Sequence, residues 1–314
     1  MNARVKKFLS TFLKVAISLG GLGYIFYKVP FGEVSSHWTS TALPWVGVIL
    51  LCTVFSMTIQ ANRWRGLLLD EGKKVPFKTF YAYIALGYFF NNLLPSGFGG
   101  DAVKTIAFGK KFGNTANSVA AVAISRVMGL IAMFICFFIM LPFVITRLDI
   151  PAVYTGAVCG VALLSVLIIV AGLFSDKLKL PGALTRRVPF LLKLQDAFSI
   201  YRGYKKAFLM SGVDSIWLQI SSILIHYSYF QAVGVPVDLA TITVFMTITI
   251  TITMLPISIN GIGLRENLNV SLFTGLLGIP ADIVLAAALI GYIPMLFQAA
   301  QGAVVLARYK STRS

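Results

Sequence analysis

Leu94-Pro95-Ser96-Gly97-Phe98-Gly99-Gly100-Asp101 breaks an apolar, uncharged run that begins at Thr79. Proline lacks an amide hydrogen and glycine loses the most backbone entropy, so this cluster ends a helix. A second stretch repeats the order. Leu255-Pro256-Ile257-Ser258-Ile259-Asn260-Gly261-Ile262-Gly263-Leu264-Arg265-Glu266 again reads Leu-Pro, then Gly-x-Gly, then charge, with three more residues in between. It interrupts the apolar stretch 239–279. What such breaks mean depends on the solvent around them.

Composition names that solvent. Of 314 residues, 57% belong to the hydrophobic set and only 12% are charged, and the mean hydropathy is +0.83. A soluble domain carries about 25% charge. This chain has too little to coat a water-facing globule. Disorder, a collagen-like repeat and a small disulfide scaffold are excluded on the same grounds. Cys52, Cys136 and Cys159 all sit in apolar runs and form no CxxC, and His37 and His226 are the two histidines. Neither a disulfide framework nor a metal cluster is indicated, and no cofactor is expected. An integral membrane protein remains. Outer-membrane strands would alternate in polarity over about ten residues, many times over. That alternation occurs once, in the Thr-Ile-Thr stretch 247–253, which is read as helix or buried unwound backbone.

Outside the breaks, six stretches are long enough for the roughly 20 residues that a span requires: 8–27, 42–61, 117–145, 152–174, 208–234 and 283–307. Arg4, Lys6 and Lys7 ahead of the first resemble a signal-peptide n-region. Lys14 interrupts the run and no A-x-A cleavage site follows, so an uncleaved first helix is expected.

The net charge of +16 would suggest nucleic acid in a soluble protein. Its distribution says otherwise. Lys and Arg gather in 1–14, 62–78, 101–116, 175–207 and the tail after 307, while the other connections hold only Lys28 and Arg147. The positive-inside rule makes the basic segments and both termini cytoplasmic. No nucleic-acid partner is expected. The basic segments 62–78 and 101–116 flank the first break, so that stretch enters and returns on the cytoplasmic side. The segments 235–238 and 279–282 carry no basic residue, so the second broken stretch enters from outside. The expected fold is all-α integral membrane: six full spans plus two oppositely entering re-entrant helical hairpins, arranged as an inverted repeat. Within one transmembrane domain, 1–314, the repeats are 1–145 and 152–308. Paired Gly/Pro-interrupted segments in inverted halves point to a transporter binding site near the midplane.

Ionisable residues inside a membrane are costly and are functional candidates by default. Asp101 follows the first break; Arg265 and Glu266 follow the second. Arg126 lies nine residues into its span, about 13 Å deep at 1.5 Å per residue. A guanidinium forks onto phosphate, which suits a phospholipid. Arg126 and Arg265 are candidates for neutralising an anionic headgroup, with Asp101 and Glu266 holding them or carrying a proton. The competing reading is two ion pairs, Asp101 with Arg126 and Arg265 with Glu266, that only lock the hairpins. Gly99, Gly100, Gly261 and Gly263 would allow close backbone approach. Asn91, Asn92 and Asn260, beside the breaks, are candidates for cavity lining or capping. Asp214 is read as interfacial and His226 as a packed polar patch. The stretch 186–206 reads as a basic amphipathic helix on an anionic inner leaflet. No P-loop, no G-x-G-x-x-G after a strand and no G-x-S-x-G occurs.

Three ordered motifs bring a family into view: Asn91 through Asp101, Ser125-Arg126-Val127-Met128-Gly129-Leu130, and Leu255 through Glu266. Together they resemble the lysylphosphatidylglycerol synthase transmembrane, flippase-like family, which includes the flippase half of the multiple peptide resistance factor. Two positions depart from the family pattern: Ser125 stands where Glu is usual, and Ile259-Asn260 where Pro-Gly is frequent. The soluble aminoacyl-transferase domain of full-length synthases is not in this sequence. The resemblance therefore implies lipid handling rather than lysyl transfer. It implies a lipid translocase of a bacterial or archaeal cytoplasmic membrane, moving an anionic or aminoacylated phospholipid or a lipid-linked headgroup. Its substrate-binding residues would be Asn91, Asn92, Gly99, Gly100, Asp101, Arg126, Asn260, Gly261, Gly263, Arg265 and Glu266. The alternatives are a non-transporting membrane partner of a lipid-modifying enzyme, such as a phosphatidylglycerol lysyltransferase or lipid-linked glycosyltransferase, and a membrane enzyme using Asp101 or Glu266 as a base. A homo-oligomer is compatible with all three.

Overall fold

The computed structural model describes residues 19–24, 27–40, 42–93, 99–112, 115–173, 201, 203–255, 258 and 260–311. Within them the secondary structure is helical. A short helix α1 (Phe31–Ser36) precedes α2 (Ala42–Leu67), α3 (Leu69–Lys73), α4 (Phe77–Leu93), α5 (Gly99–Phe112), α6 (Thr115–Ile145) and α7 (Ala152–Leu173). The second half holds α8 (Lys205–Ala232), α9 (Leu239–Thr253) and α10 (Leu264–Asn269). The helix α10 runs on through a π turn (Val270–Thr274) and a last turn (Gly275–Leu277). The helices α11 (Ala281–Ile290) and α12 (Tyr292–Ser311) complete the chain.

Four described stretches are long and apolar enough to cross a membrane: Ala42–Leu67, Asn117–Ile145, Lys205–Ala232 and Ala281–Arg308. Ala152–Leu167 and Leu239–Thr253 are shorter apolar helices. This is a multi-span, all-α membrane fold. Leu51, Phe138, Phe143 and Leu163 point outward, as lipid-facing residues do when the surrounding solvent is hydrocarbon. The expected first span, 8–27, lies largely outside the described residues. So do the residues 94–98 of the first break and most of the basic stretch 186–206.

The expected last span, 283–307, is divided at Gly291 between α11 and α12. A Cβ at Gly291 would stand 3.3 Å from the Tyr229 ring, so the break falls where the chain crowds α8. The Thr-Ile-Thr stretch is helix. Within it Thr253 Oγ1 back-bonds to the Thr249 carbonyl at 2.8 Å, and Thr249 Oγ1 donates to Asn269 Oδ1 on α10 at 3.2 Å. Just before it, Thr243 Oγ1 back-bonds to the Leu239 carbonyl at 2.7 Å. Asp238 caps α9, accepting from the Thr241 N–H at 3.0 Å and the Thr241 hydroxyl at 2.7 Å. The last turn after α10 closes on Gly278 (φ +69°), with the Ile279 N–H reaching back to the Phe273 carbonyl at 3.3 Å.

Two apolar cores flank the centre. One gathers Trp64, Phe80, Ile84, Phe108, Ile124 and Met128. The other gathers Phe137, Phe245, Ile248, Leu272 and Phe273. The helix α6 feeds both, and Arg126 lies on it near the junction.

The helices pair in a reciprocal way. The helices α2 and α8 pack along each other, joined by Ser56 Oγ donating to Ser221 Oγ at 2.8 Å and Ser221 Oγ to the Cys52 carbonyl at 3.0 Å. Such hydroxyl contacts join helices where hydrocarbon gives no hydrophobic drive. The helix α4 folds back on α5, bringing the Phe80 and Phe108 rings to 5.2 Å. The helix α9 folds back on α10, with the Phe245 and Phe273 rings at 5.0 Å. Each hairpin then packs on the other half: α4 against α12, and α9 against α6. Gly302 sits where α12 meets α4; a Cβ there would overlap the Ala85 carbonyl.

Candidate functional site

The first hairpin closes through small residues. Gly100 lies against Gly87, and a Cβ on Gly100 would overlap the Gly87 carbonyl oxygen. The Gly100 N–H donates to Asn91 Oδ1 at 2.7 Å, so Asn91 takes up an amide that opens α5 without a helical partner. Asp101, in that first turn, is 9% exposed. Its Oδ1 lies 2.6 Å from Lys104 Nζ, and its Oδ2 accepts from Arg126 Nε at 2.7 Å and also from the second guanidinium nitrogen. One buried carboxylate therefore holds two cations. The Lys104 ammonium also lies over the Trp64 ring, 5.6 Å from its centroid. The Arg126 side chain stays half exposed, held at its base and open beyond.

The second hairpin is built differently. Asn260 (φ +50°), Gly261 (φ +77°) and Gly263 (φ +79°) take left-handed backbone angles that L side chains resist. This turn reverses the chain within a few residues and places Glu266 in the first turn of α10. Glu266 is 1% exposed. It accepts from the Gly263 N–H at 2.7 Å, from Arg265 at 2.9 and 3.2 Å, and from the Tyr292 hydroxyl at 3.0 Å. The Arg265 guanidinium stacks 4.8 Å from the Tyr292 ring centroid. Asn267 spans the turn, donating to the Gly263 carbonyl at 2.6 Å and the Gly21 carbonyl at 3.2 Å.

The two breaks touch. Asn260 Nδ2 donates to the Asn91 carbonyl at 2.7 Å, and Asn92 Nδ2 to that of Met295 on α12 at 3.0 Å. Beside this contact lies a cavity of about 780 Å³. Its described wall carries four cationic side chains, Arg63, Lys104, Arg126 and Arg265, and one carboxylate, Asp101. Residues of both halves line it. Their field favours an anion, since four cations outnumber two carboxylates, Asp101 on the wall and Glu266 behind Arg265.

Of the candidate residues, Asn91, Asn92, Asp101, Arg126, Asn260 and Arg265 line the cavity. Glu266 stands behind Arg265. Gly99, Gly100, Gly261 and Gly263 shape the turns without forming the wall. Both expected ion pairs, Asp101 with Arg126 and Arg265 with Glu266, are present.

Several wall residues were not singled out by sequence. Arg63 and Lys104 belong to segments that read as plain cytoplasmic charge. Here both turn inward: Lys104 onto Asp101, Arg63 onto the Ser215 hydroxyl at 2.8 Å. Lys104 follows Asp101 by one helical turn, which was the available signal for it. Gln60, Gln219 and Gln298 gave no such signal. Asp214, read as interfacial, is 9% exposed and accepts from Asn62 Nδ2 at 3.5 Å. His226 is a packed polar group, as expected: Nδ1 lies 2.8 Å from the Ser222 carbonyl and the ring rests on Tyr229.

A helical bundle that spans a membrane and encloses a cation-lined cavity between two broken hairpins defines a transport-type membrane protein. The chain belongs to the family described as the lysylphosphatidylglycerol synthase transmembrane region, whose model matches residues 11–300. No curated protein matches it. Family membership and the helix bundle together support a flippase-like membrane transport role.

Proposed function

We propose that the protein is a lipid translocase that moves an anionic phospholipid or lipid-linked headgroup across its membrane. The observation that carries this reading is the cavity of about 780 Å³ with four cations against one carboxylate on its described wall. A phosphate entering it would meet Arg126, anchored by Asp101, together with Lys104 and Arg63. Forked guanidinium contacts to phosphate are among the strongest hydrogen bonds that side chains make. Asn91, Asn92, Asn260 and Arg265 would complete the enclosure. Gly99, Gly100, Gly261, Gly263 and Glu266 would hold its shape.

In this reading the broken stretches are re-entrant hairpins that enter from opposite faces, and residues 1–145 and 152–308 form inverted repeats. The reciprocal packing of α4 on α12 and α9 on α6 supports that arrangement. So do the helix lengths. The helices α4, α5 and α9 have 17, 14 and 15 residues, roughly 20–25 Å at 1.5 Å per residue. A hydrocarbon core is about 30 Å thick. Both termini would be cytoplasmic. The wall needs no cofactor for this task, since translocation breaks no covalent bond.

The test is reconstitution of the purified chain into liposomes carrying a fluorescent anionic phospholipid, with accessibility of the label read from outside by chemical quenching. Loss of inner-leaflet protection in protein-containing vesicles, slowed at least about tenfold by Arg126→Ala, is the expected result. Full protection with correctly folded protein would contradict the reading and favour a non-transporting partner of a lipid-modifying enzyme.

A further inference from the structure

The translocase reading leaves the headgroup beyond its phosphate unspecified, and the next inference rests on that reading. Beside the cation-lined cavity lies a second chamber of about 390 Å³ between α2, α8 and the start of α12. Gln60, Arg63, Gln219 and Gln298 line both spaces. Their chemistry differs. The described wall of the second chamber holds no carboxylate, and Arg63, shared with the first, is its one guanidinium. Its other polar groups are hydroxyls and amides, among them Thr53, Ser56, Ser222, Gln60, Gln219 and Gln298, with His226 at the far end.

Gln219 and Arg63 mark the junction. Gln219 is 8% exposed and lines both spaces. Arg63 beside it is held by the Ser215 hydroxyl, to which it donates at 2.8 Å. An amide side chain both donates and accepts, so Gln219 can meet a ligand hydroxyl in either role.

We infer that the headgroup carries, beyond its phosphate, an uncharged polyhydroxylated group, glycerol-like or sugar-like, seated in the second chamber against Gln60, Gln219 and Gln298. A hydroxyl both donates and accepts, which matches a wall of amides and hydroxyls. A site that hydrogen-bonds ligand hydroxyls discriminates strongly against analogues that lack them. A cationic aminoacyl ester fits the described wall poorly. Its ammonium would need a carboxylate, but Asp101 already holds Arg126 and Lys104, and Glu266 is buried behind Arg265. Arg63 at the entrance would repel it.

The test is lipid retention by the full chain, purified in detergent with an equimolar mixture of phosphatidylinositol, phosphatidylglycerol, phosphatidylmethanol, lysyl-phosphatidylglycerol and phosphatidylcholine, and read by native mass spectrometry. Phosphatidylmethanol keeps the phosphodiester and lacks hydroxyls. At least tenfold enrichment of the two polyol lipids over phosphatidylmethanol and the lysyl ester is expected. Gln219→Leu should bring the polyol-to-methyl ratio toward one. Gln219→Glu keeps the shape and adds a carboxylate, and should shift retention toward the lysyl ester; it serves where the leucine variant fails to fold. Equal retention of phosphatidylmethanol, or a wild-type preference for the lysyl ester, would overturn this inference and leave the translocase reading standing. No enrichment of anionic lipid over phosphatidylcholine would overturn both. Soluble glycerol 3-phosphate at the lipid's concentration should leave the lipid bound; displacement would assign the chambers to a free polyol phosphate instead.

Discussion

At the first break the acid, Asp101, reaches 25 residues along the chain to Arg126 and faces the cavity. At the second the acid, Glu266, reaches 26 residues along to Tyr292, and it is 1% exposed, turned onto its own Gly263 amide and its neighbour Arg265. The spacing is nearly the same and the partner differs, an arginine in one half and a tyrosine in the other. The arginine adds a charge that a ligand can meet. The tyrosine adds a hydroxyl that completes an enclosed network. Similar sequence motifs thus give one half a polar wall and the other a staple that presents Arg265.

That contrast breaks most visibly at Glu266. Glu266→Ala leaves Arg265 and the Gly263 amide without their acceptor, and removing one partner of a buried pair costs about 3–5 kcal/mol. Thermal unfolding in detergent should show a large loss of stability or of folded yield, whereas Asp101→Asn should lose translocation before it loses fold. Equal stability losses at the two acids would erase the distinction.

Arg126→Ala comes next. Charge-assisted hydrogen bonds contribute about 1.5–3 kcal/mol, so lipid flux in liposomes should fall roughly ten- to hundredfold with little change in melting temperature. Arg126→Lys should restore part of it, because an ammonium keeps the charge and loses the fork.

Gly302→Val sharpens the comparison from outside both breaks. It presses α12 off α4 at the Ala85 carbonyl, an overpacking that costs about 1–3 kcal/mol. Thermal unfolding measures it, and a second-site Gly at Ala85 should not rescue it, since the clash is with backbone.

The smallest effect is expected at Asp238, outside the spans. Burial pushes its carboxyl up, but hydrogen bonds from Thr241 and Ala240 and the charge of Arg147 outweigh this and hold it below its ordinary 3.8. A depressed acid contributes stability above its unfolded pKa and loses it as pH falls through the folded value. Asp238→Ala should cost about 1 kcal/mol at neutral pH, and the difference from wild type should shrink below pH 4 in melting experiments.

Much of the fold was legible because lipid imposes few options on a backbone. Apolar length gave the long helices, and Pro and Gly clusters marked both hairpins. The break at Gly291 was not legible, since a lone glycine inside an apolar run is tolerated and the Tyr229 ring it faces comes from a distant helix. At the site, Asp101, Arg126 and Arg265 stood out as charges in apolar sequence. Arg63 and Lys104 did not, because basic residues beside helix ends ordinarily face water. Gln219 and Gln298 were hidden by being uncharged on long helices, where spacing alone does not say which face is wet.

The central claim is that two broken hairpins dip from opposite faces and meet around buried cations. Single cysteines in a cysteine-free background test it most directly, at the exposed positions Lys74 and Lys111 flanking the first hairpin and Pro236 and Pro280 flanking the second. A membrane-impermeant thiol reagent applied to right-side-out vesicles should label Pro236→Cys and Pro280→Cys and spare Lys74→Cys and Lys111→Cys, with the pattern reversed in inverted vesicles. Labelling of Lys74→Cys and Lys111→Cys from different sides would make the first hairpin a full crossing and contradict the claim.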